Sequence, residues 1–195
     1  MEPIVQLNSN AKLSEHFTLG EMTKSNSHPE VYNIPSHEAI ANLKRVCGWL
    51  EVLRERYNER YVVNRRDVST TLDMTTAPVS SRLSEAHGEI SERPILINSG
   101  YRSPQLNKKI GGVAGSNHLT GCAVDIRVLG MEQLIRYATI LLDYADESKQ
   151  DFDELLIERR SASPLGSSKN RYGAIWLHFA VRPFSNRRKV SFINA

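Results

Sequence analysis

The chain has few cysteines and no long apolar run, and each shortage excludes a class of protein. Among its 195 residues are two cysteines, Cys47 and Cys122, and neither stands in a CxxC pair. Two are too few for a disulfide framework or a thiolate-rich structural zinc site, so we expect two small buried thiols. No segment approaches 18 uncharged apolar residues, and we therefore expect no membrane insertion.

Net charge of one sign is also lacking. Lysine and arginine number 25 against 22 aspartates and glutamates, which gives a formal charge of +3. That excess is too small to indicate a nucleic-acid-binding protein. The local cluster at Arg187, Arg188 and Lys189 is interpreted as an ordinary solvated surface. The first eight residues show no basic region followed by an apolar stretch, so we expect no export signal.

The first third of the sequence has the pattern of helices. Residues 1–12 are polar and aperiodic, which predicts a loose arm. Thr18 and Glu21 have the spacing of a capping box and predict a short helix. From Ser36, apolar residues recur at three- and four-residue steps and predict an amphipathic helix to about Tyr57. The recurring residues are Ile40, Leu43, Cys47, Leu50 and Leu53.

Later segments have the pattern of strands. Short apolar runs bounded by turn residues predict strands at 94–99, 122–128, 152–159 and 174–181, with a helix at 131–144. Helices followed by closely connected strands predict an α+β fold with a mostly antiparallel sheet and helices on one side. Residues 58–93 have no sustained period and are interpreted as an insertion with room for a hairpin. A hydrophobic content of 40% suits a single domain over 1–195.

Three residues have the chemistry of a metal site. His118 precedes Asp125 by seven residues, and the turn at Gly121 between them can direct both side chains to one point. Zinc accepts imidazole nitrogen and carboxylate oxygen, and a catalytic site uses three protein ligands and keeps one position for water. His178, in a predicted strand, is the candidate for the third ligand. Each residue alone has an ordinary structural explanation as a core histidine or a turn aspartate.

In combination, these residues resemble a known family. The stretch Ser116, His118, Gly121, Ala123 and Asp125 matches the Ser-x-His-x-x-Gly-x-Ala-x-Asp signature of the zinc D-alanyl-D-alanine carboxypeptidases. That family includes vancomycin-resistance dipeptidases and phage endolysins that cut L-alanyl-D-glutamate bonds. The Ser-Gly-Tyr-Arg-Ser-Pro stretch at 99–104 and the Trp-x-His at 176–178 also resemble the family. The segment from Glu15 to Met22 is similar to the start of its phage and prophage branch.

The resemblance implies roles for particular residues. His118, Asp125 and His178 are expected to bind Zn²⁺ within a hedgehog/DD-peptidase-like fold. Arg102 matches the family arginine that holds a substrate carboxylate or polarises the scissile carbonyl, and its alternative role is a structural ion pair. Ser116 and Gly121 are expected to shape the turn that carries His118.

The general base is the position where this chain departs from some relatives. Those relatives carry a Glu within three residues before the last ligand, whereas this chain has Ala174, Ile175 and Trp176 there. The preceding strand offers two glutamates, and alternation places both on the face of His178 if the strands form a hairpin. We predict that Glu158 lies directly across from His178 and is the base, with Glu154 in reserve. Both could instead be solvated carboxylates.

The function implied is metal-assisted hydrolysis of peptide bonds in bacterial peptidoglycan stem peptides, by a carboxypeptidase or an L-alanyl-D-glutamate endopeptidase. We expect a monomer that is made in the cytoplasm and acts on the cell wall, in the periplasm, if it is exported or released. The alternative is a catalytically weak zinc-containing module that binds the cell wall, which the missing Glu before His178 favours.

Overall fold

The computed structural model describes residues 8–25, 27–63, 93–160 and 174–194, which form an α+β fold. The helices are α1 (Leu19–Thr23), α2 (His37–Asn58), α3 (Pro104–Lys109) and α4 (Met131–Ser148). The strands are β1 (Ile97–Ser99), β2 (Ala123–Arg127), β3 (Glu154–Arg160), β4 (Ala174–Ala180) and β5 (Lys189–Asn194). Glu59–Val63 add a π-helical turn after α2, and Asn117–Thr120 form a 3-10 turn before β2.

The strands form one open sheet in the order β1-β2-β4-β3-β5. Every neighbouring pair is antiparallel except β3 and β5, which are parallel. The predicted mostly antiparallel sheet is therefore confirmed. The strand predicted at 94–99 is shorter than expected and covers only Ile97–Ser99, and its pairing with β2 shifts register between these two residues. The helix predicted at 131–144 extends four residues further, to Ser148.

The two helices predicted near the start of the chain form as expected. The Thr18 hydroxyl accepts from the Glu21 backbone N–H while the Glu21 carboxylate accepts from Thr18, which completes the capping box of α1. The Ser36 hydroxyl accepts from the backbone of Ala39 and caps α2. The backbone carbonyls of Ser9 and Ala11 accept hydrogen bonds from the residues that open α1, which anchors this part of the N-terminal segment.

One face of the sheet forms the core together with α2 and α4. Four predicted apolar positions of α2 are fully buried: Leu43, Cys47, Leu50 and Leu53. They join one cluster with strand residues Val124, Ile126, Leu155, Ile157, Leu177 and Phe179. Burying a leucine of this kind contributes roughly 1.5–3 kcal/mol. Both long helices thus cover the same face, and the opposite face is left for polar side chains.

The hairpin of β3 and β4 shows the predicted faces and a different register. Leu155 and Ile157 share the core face with Leu177 and Phe179, as alternation predicts. The prediction that Glu158 lies directly across from His178 is wrong, because Leu156 is the partner of His178. Glu158 pairs with Trp176 and Glu154 with Ala180. Strand alternation predicts which face a residue occupies. A shift of the pairing register by two residues leaves every residue on the same face, so alternation cannot detect it.

Two elements of the structure, β5 and α3, were not predicted from the sequence. Lys189–Asn194 run parallel to β3 at the sheet edge, with exposed positions on both sides, so their alternation is weak. The region interpreted as an insertion begins with Asn58, the last residue of α2, and continues in the π-helical turn of residues 59–63. Residues 64–92 lie outside the described residues, and so does the hairpin for which this region has room. The two cysteines are free and buried, as predicted.

Candidate metal centre

His118 lies in a tight turn whose shape depends on serine and glycine. The Ser116 hydroxyl accepts from the His118 backbone N–H at 3.3 Å and caps the Asn117–Thr120 turn. The turn ends at Gly121, which has φ of 72°, and a side chain there would collide with the Ala39 carbonyl. Glycine alone meets both constraints without strain. The prediction that Ser116 and Gly121 shape this turn is confirmed.

Two neighbouring strands carry Asp125 and His178 to the same place. The two residues are direct partners across β2 and β4, so their side chains share the polar face of the sheet. Asp125 Oδ1 lies 2.9 Å from His178 Nδ1 and 3.2 Å from His118 Nε2. All three residues are buried, and their ligand atoms lie within 4.8 Å of one another. The structure thus brings together the three residues whose chemistry suits a metal ion.

The hydrogen bonds of His118 favour a cation between it and Asp125. His118 Nδ1 lies 2.6 Å from the Gly100 carbonyl oxygen, which can only accept, so Nδ1 carries the hydrogen. Nε2 then presents a lone pair to the Asp125 carboxylate. Burial lowers the pKa of His118, which disfavours a second proton on the ring. Two imidazole nitrogens and one carboxylate fit zinc and leave a coordination position for water.

The charges of Asp125 and His178 reinforce each other. Burial alone would raise the pKa of Asp125, but His118 and His178 outweigh it and hold that pKa well below its usual range. Burial would lower the pKa of His178, whereas hydrogen bonds to Asp125 and Glu154 raise it to about 9. Without a metal, His178 therefore carries an extra proton at neutral pH. A metal ion that binds Nδ1 has to displace that proton.

Arg102 contacts the carboxylate oxygen of Asp125 that neither histidine contacts. Its Nη2 donates to Asp125 Oδ2, and its Nε donates to Ser99 Oγ at 2.9 Å. Its backbone N–H also donates to the His118 carbonyl at 3.0 Å. Arg102 therefore forms a structural ion pair with Asp125, which was the alternative role considered for it. Because a guanidinium has five N–H donors, this contact leaves donors for a substrate oxygen, and that role stays a prediction.

Glu154 is the second carboxylate beside His178, after Asp125. Its Oε2 lies 3.6 Å from His178 Nε2 and accepts from Asn117 Nδ2 at 2.9 Å. Its Oε1 lies 2.9 Å from Arg187 Nη2 and 3.5 Å from Lys189 Nζ. These contacts, chiefly that with His178, lower the pKa of Glu154 to about 2. A carboxylate so stabilised is a poor proton acceptor, but it is well suited to orienting the His178 ring.

An ion-pair network around Asp153, next to Glu154, was not predicted from the sequence. The side chain of Asp153 is fully buried and lies 2.7 Å from Arg187 Nη2 and 3.0 Å from Arg182 Nε. Asn117 donates to the same carboxylate at 2.7 Å. Arg187, interpreted as part of an ordinary solvated surface, is exposed but also pairs with this buried carboxylate. Two sequence features could have indicated this network. One is the acidic pair Asp153 and Glu154 at the start of β3, and the other is the basic run 187–189 at the start of β5.

Glu158 has few partners. Its pKa is raised, mainly by burial, although the nearby positive charge of His178 opposes the shift. Its partner across the hairpin is Trp176. The Trp176 indole N–H makes no hydrogen bond within the described residues, yet lies near enough to favour the charged form of Glu158. A carboxylate with a raised pKa and no tight ion pair among the described residues has the properties of a general base.

Comparison with known proteins supports this chemistry. The sequence model of a family described as Peptidase M15 matches residues 62–144. The match includes Arg102, His118 and Asp125 and ends before His178. It supports a hydrolase of the M15 metallopeptidase family, whose members are typically zinc-dependent. A search of curated proteins finds no match to the chain. In the described part of the chain, no helix combines the length and the apolar character that crossing a membrane requires.

Proposed function

We propose that this chain is a zinc-dependent peptidase that hydrolyses peptide bonds in bacterial peptidoglycan stem peptides. The observation that carries the proposal is the convergence of His118, Asp125 and His178 in one buried cluster. The match to the M15 family supports metallopeptidase chemistry. The complete signature around His118 and Asp125 supports the peptidoglycan-directed branches of that family.

The side chains of the cluster divide into ligands and the groups that orient them. His118 Nε2, Asp125 Oδ1 and His178 Nδ1 are the atoms that would hold zinc. When bound there, zinc supplies Lewis acidity, which polarises a carbonyl and makes water a better nucleophile at neutral pH. The Gly100 carbonyl fixes the His118 tautomer, and Arg102 fixes the Asp125 carboxylate. Ligands held in this way need little rearrangement during the reaction.

Glu158 is the group that moves protons. Its carboxylate lies on the same face of the sheet as His178. Its pKa is shifted upward, toward neutral pH, which suits a group that accepts and releases a proton. In the forward reaction it takes a proton from the attacking water and passes it to the nitrogen of the leaving amine. Glu154 is less suited to this task because its ion pairs hold it in the charged form.

Arg102 completes the site on the side of the substrate. Its donors beyond Asp125 and Ser99 can stabilise negative charge that develops on the scissile carbonyl oxygen, or hold a substrate carboxylate. The two activities that fit are D-alanyl-D-alanine carboxypeptidase and L-alanyl-D-glutamate endopeptidase. The resemblance of Glu15 to Met22 to the phage and prophage branch supports an endolysin-like protein that acts on the cell wall, with a hedgehog/DD-peptidase-like fold.

Digestion of purified peptidoglycan tests the proposal. The zinc-loaded protein and its His118→Ala variant are incubated with peptidoglycan, and soluble fragments are identified by mass. We expect the wild type to release free D-alanine if it is a carboxypeptidase, or peptides that begin with D-glutamate if it is an endopeptidase. The variant should lose zinc by elemental analysis and release neither. Full zinc retention by His118→Ala would contradict the assignment of the ligand.

The absence of a Glu directly before His178 supports a second candidate, a zinc-containing module that binds the cell wall with little catalysis. Ala174, Ile175 and Trp176 occupy the positions where some relatives carry that Glu. Sedimentation with insoluble peptidoglycan separates the two candidates. Zinc-dependent co-sedimentation without release of any fragment would support the binding module and contradict the peptidase.

A further inference from the structure

A cavity of about 440 Å³ lies beside Arg102, which also contacts the metal-centre residue Asp125. Its wall includes four basic side chains, Lys24, His28, Arg102 and Arg160, together with serine and asparagine side chains. Leu106 and Ile110 add a small apolar surface. A space of this volume is large enough for one or two amino-acid residues.

The described residues that line the cavity include basic side chains and no carboxylate, although Arg102 is itself paired with Asp125. Neither Lys24 nor Arg160 forms an ion pair with the described part of the chain. His28 contacts Glu30 at 3.3 Å, but Glu30 lies outside the wall and also binds Lys109. Basic side chains that converge on one space raise the local concentration of anions and favour a ligand that carries negative charge.

Arg102 connects the cavity to the metal centre. Arg102 lines the cavity and binds the Asp125 carboxylate through its guanidinium, and Ser99, its second partner, also lines the cavity. Ser99 is the direct strand partner of Asp125. A peptide whose scissile bond lies at the metal centre can therefore place a neighbouring residue in the cavity, because one residue spans only about 3.5 Å.

We propose that this cavity is a subsite for a carboxylate-bearing residue next to the scissile bond, with Lys24 and Arg160 as its specificity-determining residues. The proposal rests on the proposed peptidase function and names its substrate class as acidic peptides. Arg102 and Arg160 supply guanidinium donors that suit a carboxylate, and Lys24 supplies a flexible charge. Leu106 and Ile110 contact the aliphatic part of the same residue. The carboxylate is either that of an internal acidic residue or that of the peptide C-terminus.

Two pairs of synthetic stem peptides test the proposal and distinguish the two sources of the carboxylate. In the first pair, the α-carboxylate of D-glutamate is free or amidated. In the second pair, the C-terminal carboxylate is free or amidated. We expect wild-type KM to rise about tenfold on amidation in one pair, because one charge-assisted contact is lost. Lys24→Gln and Arg160→Gln should each reduce that ratio of KM values by about 3- to 10-fold.

Lys44→Gln is the matched control, because it removes one positive charge from an exposed lysine on α2, away from the cavity. It should keep the wild-type ratio of KM values. Circular dichroism establishes that all variants fold. Equal KM values for free and amidated peptides in both pairs would overturn the subsite, as would the same response from Lys44→Gln and Lys24→Gln.

Calorimetry on the zinc-depleted protein separates failure of the subsite from failure of the proposed function. The wild type should bind the carboxylate peptide of one pair more tightly than its amide, and Lys24→Gln and Arg160→Gln should weaken that preference. If this holds while no peptide is hydrolysed after zinc loading, the peptidase function fails and the subsite stands. If hydrolysis occurs without any charge preference in binding or KM, the subsite fails and the peptidase stands.

Discussion

At one end of β3, Glu154 is surrounded by partners, with Asn117, Arg187, Lys189 and His178 all within ion-pair or hydrogen-bond distance. At the other end of the same strand, Glu158 pairs with Trp176 across the hairpin and forms no ion pair with the described residues. The two glutamates share a residue type, a strand and a face. Their pKa values nevertheless move in opposite directions, to about 2 for Glu154 and upward for Glu158.

The surroundings of the two carboxylates, and not their residue type, determine their different roles. Partners that stabilise the charged form hold Glu154 as an anion and fit it to orient His178, whereas burial without tight ion pairs among the described residues leaves Glu158 able to accept a proton. The pattern of two titratable groups whose pKa values are moved apart is characteristic of acid–base sites. A substitution near one end of β3 should therefore affect the role of one glutamate and leave the role of the other intact.

The largest effect is expected from Glu158→Gln. The substitution keeps the shape of the side chain and removes its ability to accept a proton. Turnover of a stem peptide should fall by about 10² to 10⁴, the usual contribution of a positioned base. Zinc content, measured by elemental analysis, should stay at the wild-type value because Glu158 is not among the ligand atoms of the cluster. Wild-type turnover in this variant would move the base to another residue.

Glu154→Gln is expected to act on metal binding instead. Loss of the carboxylate beside His178 Nε2 should weaken zinc affinity by about 10- to 100-fold, the usual range for a group that orients a ligand. Chelator competition at pH 9 measures this without interference from the proton on His178. Turnover at saturating zinc should change far less than in Glu158→Gln. The opposite result, with zinc affinity intact and turnover abolished, would exchange the roles of the two glutamates.

The sequence contains enough to predict which residues meet in the metal centre. Hydrophobic periodicity predicted α2, and strand alternation predicted that Glu154, Glu158 and His178 share a face. The convergence of His118 with Asp125 depends on a turn only glycine tolerates at Gly121, and such local signals are legible in a sequence.

The register of the hairpin and the partners of each glutamate could not be predicted. Turn geometry usually fixes register, but β3 and β4 are separated by 13 residues, 161–173, whose sequence specifies no short turn. Besides His178, the partners of Glu154 are Arg187 just before β5, Lys189 at its start, and Asn117, which are all distant in sequence. The acidic pair and the basic run indicate a contact, but because a strand at the sheet edge has weak alternation they do not specify that Arg187 pairs with Asp153.

The pH dependence of zinc binding sharpens the comparison at the Glu154 end. Asp125 and Glu154 raise the pKa of His178 to about 9, so zinc must displace a proton at every pH below that value. Zinc affinity should rise by about tenfold per pH unit between pH 6 and 8 and level off near pH 9. In Glu154→Gln the levelling should begin at lower pH, because one source of the raised pKa is lost. Identical profiles for both proteins would show that Glu154 does not act on His178.

The smallest effect is expected from Trp176→Phe, at the Glu158 end. The indole N–H favours the charged form of Glu158, so its removal should raise the pKa of that carboxyl further. Because the base must be deprotonated to act, the acid limb of the kcat/KM profile should move to higher pH, by about half a unit for the loss of one nearby N–H group. Phenylalanine keeps an aromatic ring at this position, and zinc affinity serves as the control because Trp176 contributes no ligand atom. An acid limb that stays in place, or moves to lower pH, would mean that the titration of Glu158 does not limit the reaction, even if Glu158→Gln is inactive.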